Sequence, residues 1–279
     1  RSVEPSTFDM YVCSIAGPSG VGKTTLVEGL VDRLADRGSV ATVKHCEHGP
    51  DVEDDGTDTA RHRAAGAATS VGIGDEQWIA TGEARTLRGT LDDLAATHDY
   101  AVVEGFHDAR LPTVTLGEAR EAAATNGEHL LDAASADAVD LDALIDAILA
   151  TEPYESLGSL VARVKRSGDA DRSGAIATFT GRVRVRDSAE DAPTEHLAFE
   201  KYDGVADERM ANVREDLLAR EGVYEVALHH RTGVVRAGED IVFVVILAGH
   251  RREAFAAVED GINRLKEEVP LFKKEVTVD

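Results

Sequence analysis

Gly17-Pro-Ser-Gly-Val-Gly-Lys-Thr24 decides how the first half of this chain is read. It matches the pattern GxxxxGK followed by Ser or Thr, and its flanks are the ones the pattern needs. Tyr11 to Ala16 before it is a short apolar run that predicts a buried strand. Lys23 onward after it carries Leu26, Leu30 and Leu34 at helical spacing, with Gly38 expected as the C-cap. A strand, a glycine loop and a helix in that order make a phosphate-binding P-loop. Gly17, Gly20 and Gly22 let backbone N–H groups converge on phosphate oxygens, and the helix start adds positive potential. Ser19 and Thr25 lie in the same grip, Lys23 reaches toward the β- and γ-phosphates, and Thr24 is placed to ligate Mg2+.

Farther along, Ser39 to Lys44 predicts a second strand and Tyr100-Ala-Val-Val-Glu-Gly-Phe106 a third. Ligands in open α/β sheets gather at the carboxyl ends of strands, so Glu104 is either a second group for Mg2+ or a carboxylate that merely ends a strand. Asp137 to Ala150 reads as a helix on Val139, Leu141, Leu144, Ile145 and Ile148. Thr151-Glu-Pro153 then breaks the pattern. At 279 residues the chain has length for two domains, and the boundary falls here, giving residues 8–150 and 153–279.

The second half mixes strands and helices with no internal repeat. Ser173 to Val185, Leu197 to Tyr202, Val223 to His229 and Ile241 to Ala248 read as strands. Helices are expected over Val205 to Arg220 and Arg251 to Glu268, the latter with Phe255, Val258, Ile262 and Leu265 on one face until Pro270 stops it. This is an α+β domain. Its cations collect at the ends of elements: Arg182, Arg184 and Arg186 on one strand, His250-Arg251-Arg252 at a junction, then Lys266, Lys273 and Lys274. An anion site follows from that grouping. Lys266 shares a helical face with Ile262, and a lysine beside apolar or cationic groups becomes a usable base or nucleophile. The same residues also fit a lysine answering the helix dipole and arginines on a solvated strand edge.

Composition sets the outer limits. The formal net charge of -22 fits either a nucleic-acid mimic or a strongly repelled surface; it is spread over helices and loops with Arg favoured over Lys, which suits a salt-rich cytoplasm, and since an acidic surface by itself names no partner, no nucleic-acid partner is expected. No apolar run is long enough to span a bilayer, and residues 1–9 lack the apolar core of a signal peptide, so a cytoplasmic location is expected. The two cysteines, Cys13 and Cys46, make neither a disulfide framework nor a metal pair, and the His residues lack metal-ligand spacing.

The first domain resembles molybdopterin-guanine dinucleotide biosynthesis protein B. The carriers are the P-loop, Val43-Lys-His45, the acidic run Asp51 to Asp58, Ala60-Arg-His-Arg-Ala-Ala-Gly-Ala67, and Val103-Glu-Gly-Phe106. The resemblance implies a dimeric GTP-binding adaptor with Mg2+ that serves a molybdopterin guanylyltransferase, with a weak GTPase activity. It adds Lys44, His45, Asp58 and Arg63 to the nucleotide site. No NKxD-like base-reading motif is present, so guanine preference rests on the resemblance alone.

The second domain resembles the large, catalytic subunit of molybdopterin synthase across residues 153–279. The blocks are Gly174 to Arg184, Phe199-Glu-Lys-Tyr202, His230-Arg231-Thr-Gly, Ala237 to Val244, Ala248-Gly-His-Arg251 and Leu265 to Glu275. The resemblance implies conversion of cyclic pyranopterin monophosphate (precursor Z) into molybdopterin. Sulfur would come from a thiocarboxylated ubiquitin-like carrier with a C-terminal Gly-Gly tail, and no metal is needed for the step. Lys266, Lys273 and Arg184 inherit catalytic roles, Phe179 and Ile262 line the pocket, and His250 and Arg251 reach across a homodimer interface. Phe272 before the last lysine pair and the acidic loop from Asp187 to Thr194 depart from the usual pattern. Two other readings remain open from the sequence: an adaptor whose second domain docks ubiquitin-like proteins, and a small-molecule kinase.

Overall fold

The computed structural model describes residues 9–46, 49, 57–107, 109–117, 127–186, 188–201 and 204–277. Residues 51–56 of the acidic run, Tyr202 and Asp187 lie outside that set. The chain forms two compact units, one built mainly from Met10–Leu94 with His98–Tyr154, the other mainly from Glu155 onward. No helix among the described residues is long and apolar enough to cross a membrane.

The first unit is a mixed α/β domain on a parallel sheet. Its strands are β1 (Tyr11–Ala16), β2 (Val40–Lys44), β5 (Tyr100–Glu104), β6 (Thr113–Leu116) and β7 (His129–Ala133), in the order β2-β5-β1-β6-β7. β1 is central and pairs in parallel with β5 and β6. A strand covered on both faces cannot alternate polar and apolar residues, which explains the unbroken run Val12 to Ala16. One face is covered by Leu26, Leu30 and Leu34 of the helix Lys23–Ala35 and by Leu144, Ile145 and Ile148 of the helix Leu141–Leu149. Each such leucine contributes roughly 2 kcal/mol by leaving water.

Two sequence expectations are corrected here. Gly38 is no left-handed cap: the helix ends at Ala35 with Asp36 as its cap, and Gly38 donates its N–H to the Leu34 carbonyl at 3.1 Å. A glycine fits because a Cβ there would come within 2.6 Å of Asp99 Oδ2, the atom that accepts from Ser39 N and Ser39 Oγ at 2.8 Å each. The last helix of the unit also starts later than its apolar spacing suggests. Val139 follows a short 3-10 turn, and Asp140 caps the helix by accepting from the amides of Asp142 and Ala143.

The sequence reading overlooked an antiparallel hairpin, β3 (Thr69–Ile73) with β4 (Trp78–Gly82). β3 packs against the helix Asp58–Ala64. Val71, Ile73 and Trp78 project from it into solvent, Ile73 being 85% and Trp78 71% exposed.

The second unit is α+β. β12 (Asp240–Ala248) is its spine, flanked by β8 (Ala175–Arg182) and β10 (Val223–His230) in an antiparallel sheet. Val242, Val244, Ile246 and Ala248 of β12 enter the same core as the helices Val205–Leu218 and Arg251–Glu268. Phe243, Val245 and Leu247 meet Leu160 and Val164 of the helix Leu157–Lys165. A second antiparallel sheet runs β11 (Gly233–Arg236), β9 (Thr194–Lys201), β13 (Leu271–Thr277).

The helix Arg251–Glu268 has the expected bounds, and Val258, Ile262 and Leu265 of the expected face pack on the core, but Phe255 does not. Ala254, Ala257, Gly261, Ile262 and Leu265 are buried, whereas Phe255 is 64% exposed. Small residues let this helix approach β12 closely: a Cβ on Gly261 would stand 3.1 Å from Val244. β8 stops at Arg182, so Arg184 and Arg186 lie beyond the strand that was expected to carry all three arginines.

Candidate functional site

In the first unit the site is built around the loop leaving β1. Gly17 has φ +145°, and a side chain there would collide with the carbonyl of Leu116 on β6. Gly22, at φ +94°, begins the helix Lys23–Ala35 in a left-handed conformation. Lys23 Nζ donates to the carbonyls of Gly17 at 2.8 Å and Pro18 at 2.7 Å, so its ammonium lies inside the loop. Ser19, Gly20, Thr24 and Thr25 are exposed along the same turn.

Glu104 ends β5 with only 9% exposure. Its Oε1 lies 3.5 Å from Lys44 Nζ at the end of β2, and its carbonyl accepts from His45 N at 2.9 Å. His45 meets Phe106 edge to face at 5.2 Å. The parallel register brings Ile15, Glu104 and Lys44 into one row, so strand pairing itself gathers these groups at the carboxyl edge of the sheet. Asp58 and Arg63 sit apart on the helix Asp58–Ala64. Asp58 pairs with Arg61 at 3.1 Å, and the helix cap is Thr57, whose Oγ1 accepts from Ala60 N.

In the second unit, Ile262 is buried and Phe179 packs against the same core. Lys266 is exposed in the last helical turn, where a cation answers the carbonyl end of the helix. His250 caps the start of that helix through its backbone, and Arg251 is the first helical residue; both side chains are exposed. Arg184 is exposed just past β8. Lys273 lies on β13, a strand absent from the sequence reading, directly across from Phe199 of β9. Its Nζ is 3.7 Å from Glu275 Oε2.

Sequence reasoning passed over His230 as a site residue. It pairs with Val242 at the end of β10, its Nδ1 is 2.8 Å from the Arg231 carbonyl, and its ring stands edge to face on Phe199 at 5.0 Å. A carbonyl can only accept, so Nδ1 carries the hydrogen. Burial lowers the imidazole to about 4, well below its ordinary value. Arg231 extends the cluster by placing its guanidinium over Phe243 at 5.5 Å. Its only sequence signal was the block His230-Arg231-Thr-Gly, which names no role.

Comparison with known proteins bears on both units. The family model described as molybdopterin guanine dinucleotide synthesis protein B (MobB) matches residues 12–137, and the model described as MoaE protein matches residues 151–268. A "probable molybdopterin synthase" of Haloferax volcanii is 48% identical over 266 residues, covering 95% of this chain and 96% of that protein. The "molybdopterin synthase catalytic subunit" of Pyrococcus abyssi is 37% identical over 105 residues, 38% of this chain and 70% of the relative. The solved molybdopterin cofactor biosynthesis protein E of Burkholderia multivorans shares 31% identity over 45% of this chain and 82% of its own, with a TM-score of 0.37. The chain thus belongs to the family of the probable molybdopterin synthase of Haloferax volcanii, with a MobB-type unit ahead of a MoaE-type catalytic unit.

Proposed function

We propose that the chain serves molybdenum cofactor biosynthesis twice, as a sulfurtransferase in its second unit and as a nucleotide-binding adaptor in its first. The observation that carries this is the relationship along 95% of the chain to a probable molybdopterin synthase. The second unit converts precursor Z into molybdopterin. The sulfur donor is a thiocarboxylated ubiquitin-like protein whose Gly-Gly tail enters beside Lys266 and Lys273. Exposed Arg184, His250 and Arg251 suit an anionic pterin phosphate, and Phe179 and Ile262 supply its apolar wall. Lys266 and Lys273 move protons as sulfur attacks. The reading needs no metal for this step, and it takes the working form to be a homodimer in which His250 and Arg251 serve the neighbouring site.

The first unit, on this reading, is a P-loop NTPase domain that binds GTP with Mg2+ for a guanylyltransferase partner. The residues fit such a ligand. Gly17 leaves no room for a side chain, Lys23 holds a positive charge within the loop, and Glu104 offers a nearly buried carboxylate beside it. Bound Mg2+ would neutralise phosphate charge, with Thr24 and Glu104 as its protein contacts; Lys44 and His45 stand at the same edge. Asp58 and Arg63, apart on the helix Asp58–Ala64, belong to this site by family resemblance alone.

The deciding experiment incubates the full chain with precursor Z and thiocarboxylated carrier and follows dithiolene formation. Product is expected; its absence with a folded chain and a competent carrier ends the sulfurtransferase reading.

A further inference from the structure

The glycine loop has two unlike flanks. On one, β5 and β2 end in Glu104 and Lys44, 3.5 Å apart, with His45 packed beside Gly105. On the other, β6 and β7 end in residues that carry no charge. Gly117 N–H donates to the Ala133 carbonyl at 2.8 Å, and Gly117 sits against Val21 and Pro18 of the loop. Ala136 comes closer still: its Cβ would be 3.0 Å from a Cβ on Gly22.

A nucleoside triphosphate is equally unlike at its two ends. Its terminal phosphates require cations and a metal-holding carboxylate, while its base requires a flat neutral surface with a few hydrogen-bonding groups. Matching ends to flanks puts the terminal phosphates toward Glu104 and the nucleoside over residues 134–138.

The carboxylates near that second flank differ in what they already do. Asp132 Oδ1 lies 2.8 Å from His129 Nε2. Asp140 is consumed by capping, and Asp142 pairs with Arg33. Asp137 makes no hydrogen bond or ion pair among the described residues and is exposed. Two residues before it, Ser135 is extended and its hydroxyl makes no capping bond.

We infer that Asp137, with Ser135 beside it, is the base-reading group of the nucleotide site. Its carboxylate accepts from the N1–H and the 2-amino group of a guanine, as a carboxylate can only accept. Adenine offers no donor at either position, so the same contact rejects it. This inference rests on the nucleotide reading proposed above and assigns a guanine-selecting residue where no NKxD-like motif exists.

The test is isothermal titration calorimetry of the full chain with GTP, ITP, XTP, ATP and inorganic tripolyphosphate, each with Mg2+. The wild type is expected to bind GTP more tightly than ITP or ATP. Asp137→Asn should weaken GTP by about tenfold or more, because a hydrogen bond to a charged group is lost. It should also favour XTP, whose 2-oxo group accepts from the new amide, and leave tripolyphosphate unchanged. Asp137→Ala should abolish the preference for GTP over ITP. Wild-type GTP:XTP and GTP:ITP ratios in both variants, or equal GTP and ATP binding by the wild type, overturn the inference while phosphate binding stands. Failure of the wild type to bind tripolyphosphate or any triphosphate overturns the nucleotide reading, and this inference with it.

Discussion

Lys273 stands directly opposite Phe199 across the antiparallel β9–β13 pair, so an exposed ammonium on an edge strand shares a row with a buried ring that itself packs on His230. The strand fixes where the ammonium starts, while its exposure leaves it free to meet a ligand. Such a lysine contributes little to the core. Lys273→Ala and Lys266→Ala are therefore expected to lower sulfur transfer to precursor Z by about a hundredfold or more, the scale of a lost acid–base group. Stability should stay within about 0.5 kcal/mol of wild type, as for other surface substitutions. Product yield and thermal midpoint measured side by side check both halves; unchanged yield in both variants removes the lysines from the chemistry.

Gly17 and Lys23 separate shape from charge in the glycine loop after β1. Gly17→Ala forces a Cβ into the Leu116 carbonyl at a φ of +145°, and is expected to cost about 1–3 kcal/mol of folding stability along with triphosphate binding. Lys23→Ala should abolish triphosphate binding with a smaller loss of folding stability than Gly17→Ala, since one of the ammonium's two carbonyl contacts is exposed and the other only part-buried, so water can replace them. Urea titration read by circular dichroism distinguishes the two outcomes.

His230 predicts an acid limb in stability. Its folded imidazole sits at about 4, below the ordinary 6.5, so between these values the unfolded chain binds more protons than the folded one. Stability is complete above about pH 6.5 and declines as pH falls toward 4. The loss has an upper bound of about 3 kcal/mol, from the 1.36 kcal/mol per pH unit of such linkage. His230→Gln should flatten this window of the stability profile; an unchanged slope would assign the limb to other groups.

A formal charge of -22 on one chain means that folding concentrates like charges. Raising KCl from 0.1 M to 1 M shortens the screening length from about 10 Å to about 3 Å. The thermal midpoint is expected to rise over that interval. A flat or falling midpoint would show that ion pairs such as Arg264 with Asp216 and Glu268 outweigh the repulsion.

The parts of the fold that were legible in the sequence are those where burial leaves an unambiguous period. Ile241 to Ala248 is an unbroken apolar run because both faces of β12 are covered, and Lys23–Ala35 displays its leucines at strict helical spacing. Where close packing relies on absence of bulk, the signal inverts. The helix Arg251–Glu268 buries Ala254, Ala257 and Gly261 beside the expected Ile262 and Leu265 and leaves Phe255 outside, so weighting by size wrongly includes Phe255 and passes over the small residues. β13 was missed because Leu271 to Thr277 has little period of its own; its strand exists through pairing with β9. The candidate site divides in the same way. The loop Gly17 to Thr24 is local and readable, whereas the Lys44–Glu104 pair is set by the register of β2 on β5 and the His230–Phe199 contact joins residues of two different sheets.

The β3–β4 hairpin also determines how this protein looks to light. Trp78 is the sole tryptophan of the chain and stands 71% exposed on that hairpin, so in the folded state its indole is already surrounded largely by water. Its fluorescence therefore reports whatever comes to rest on the hairpin, and hardly registers loss of the buried clusters described above, none of which includes the indole.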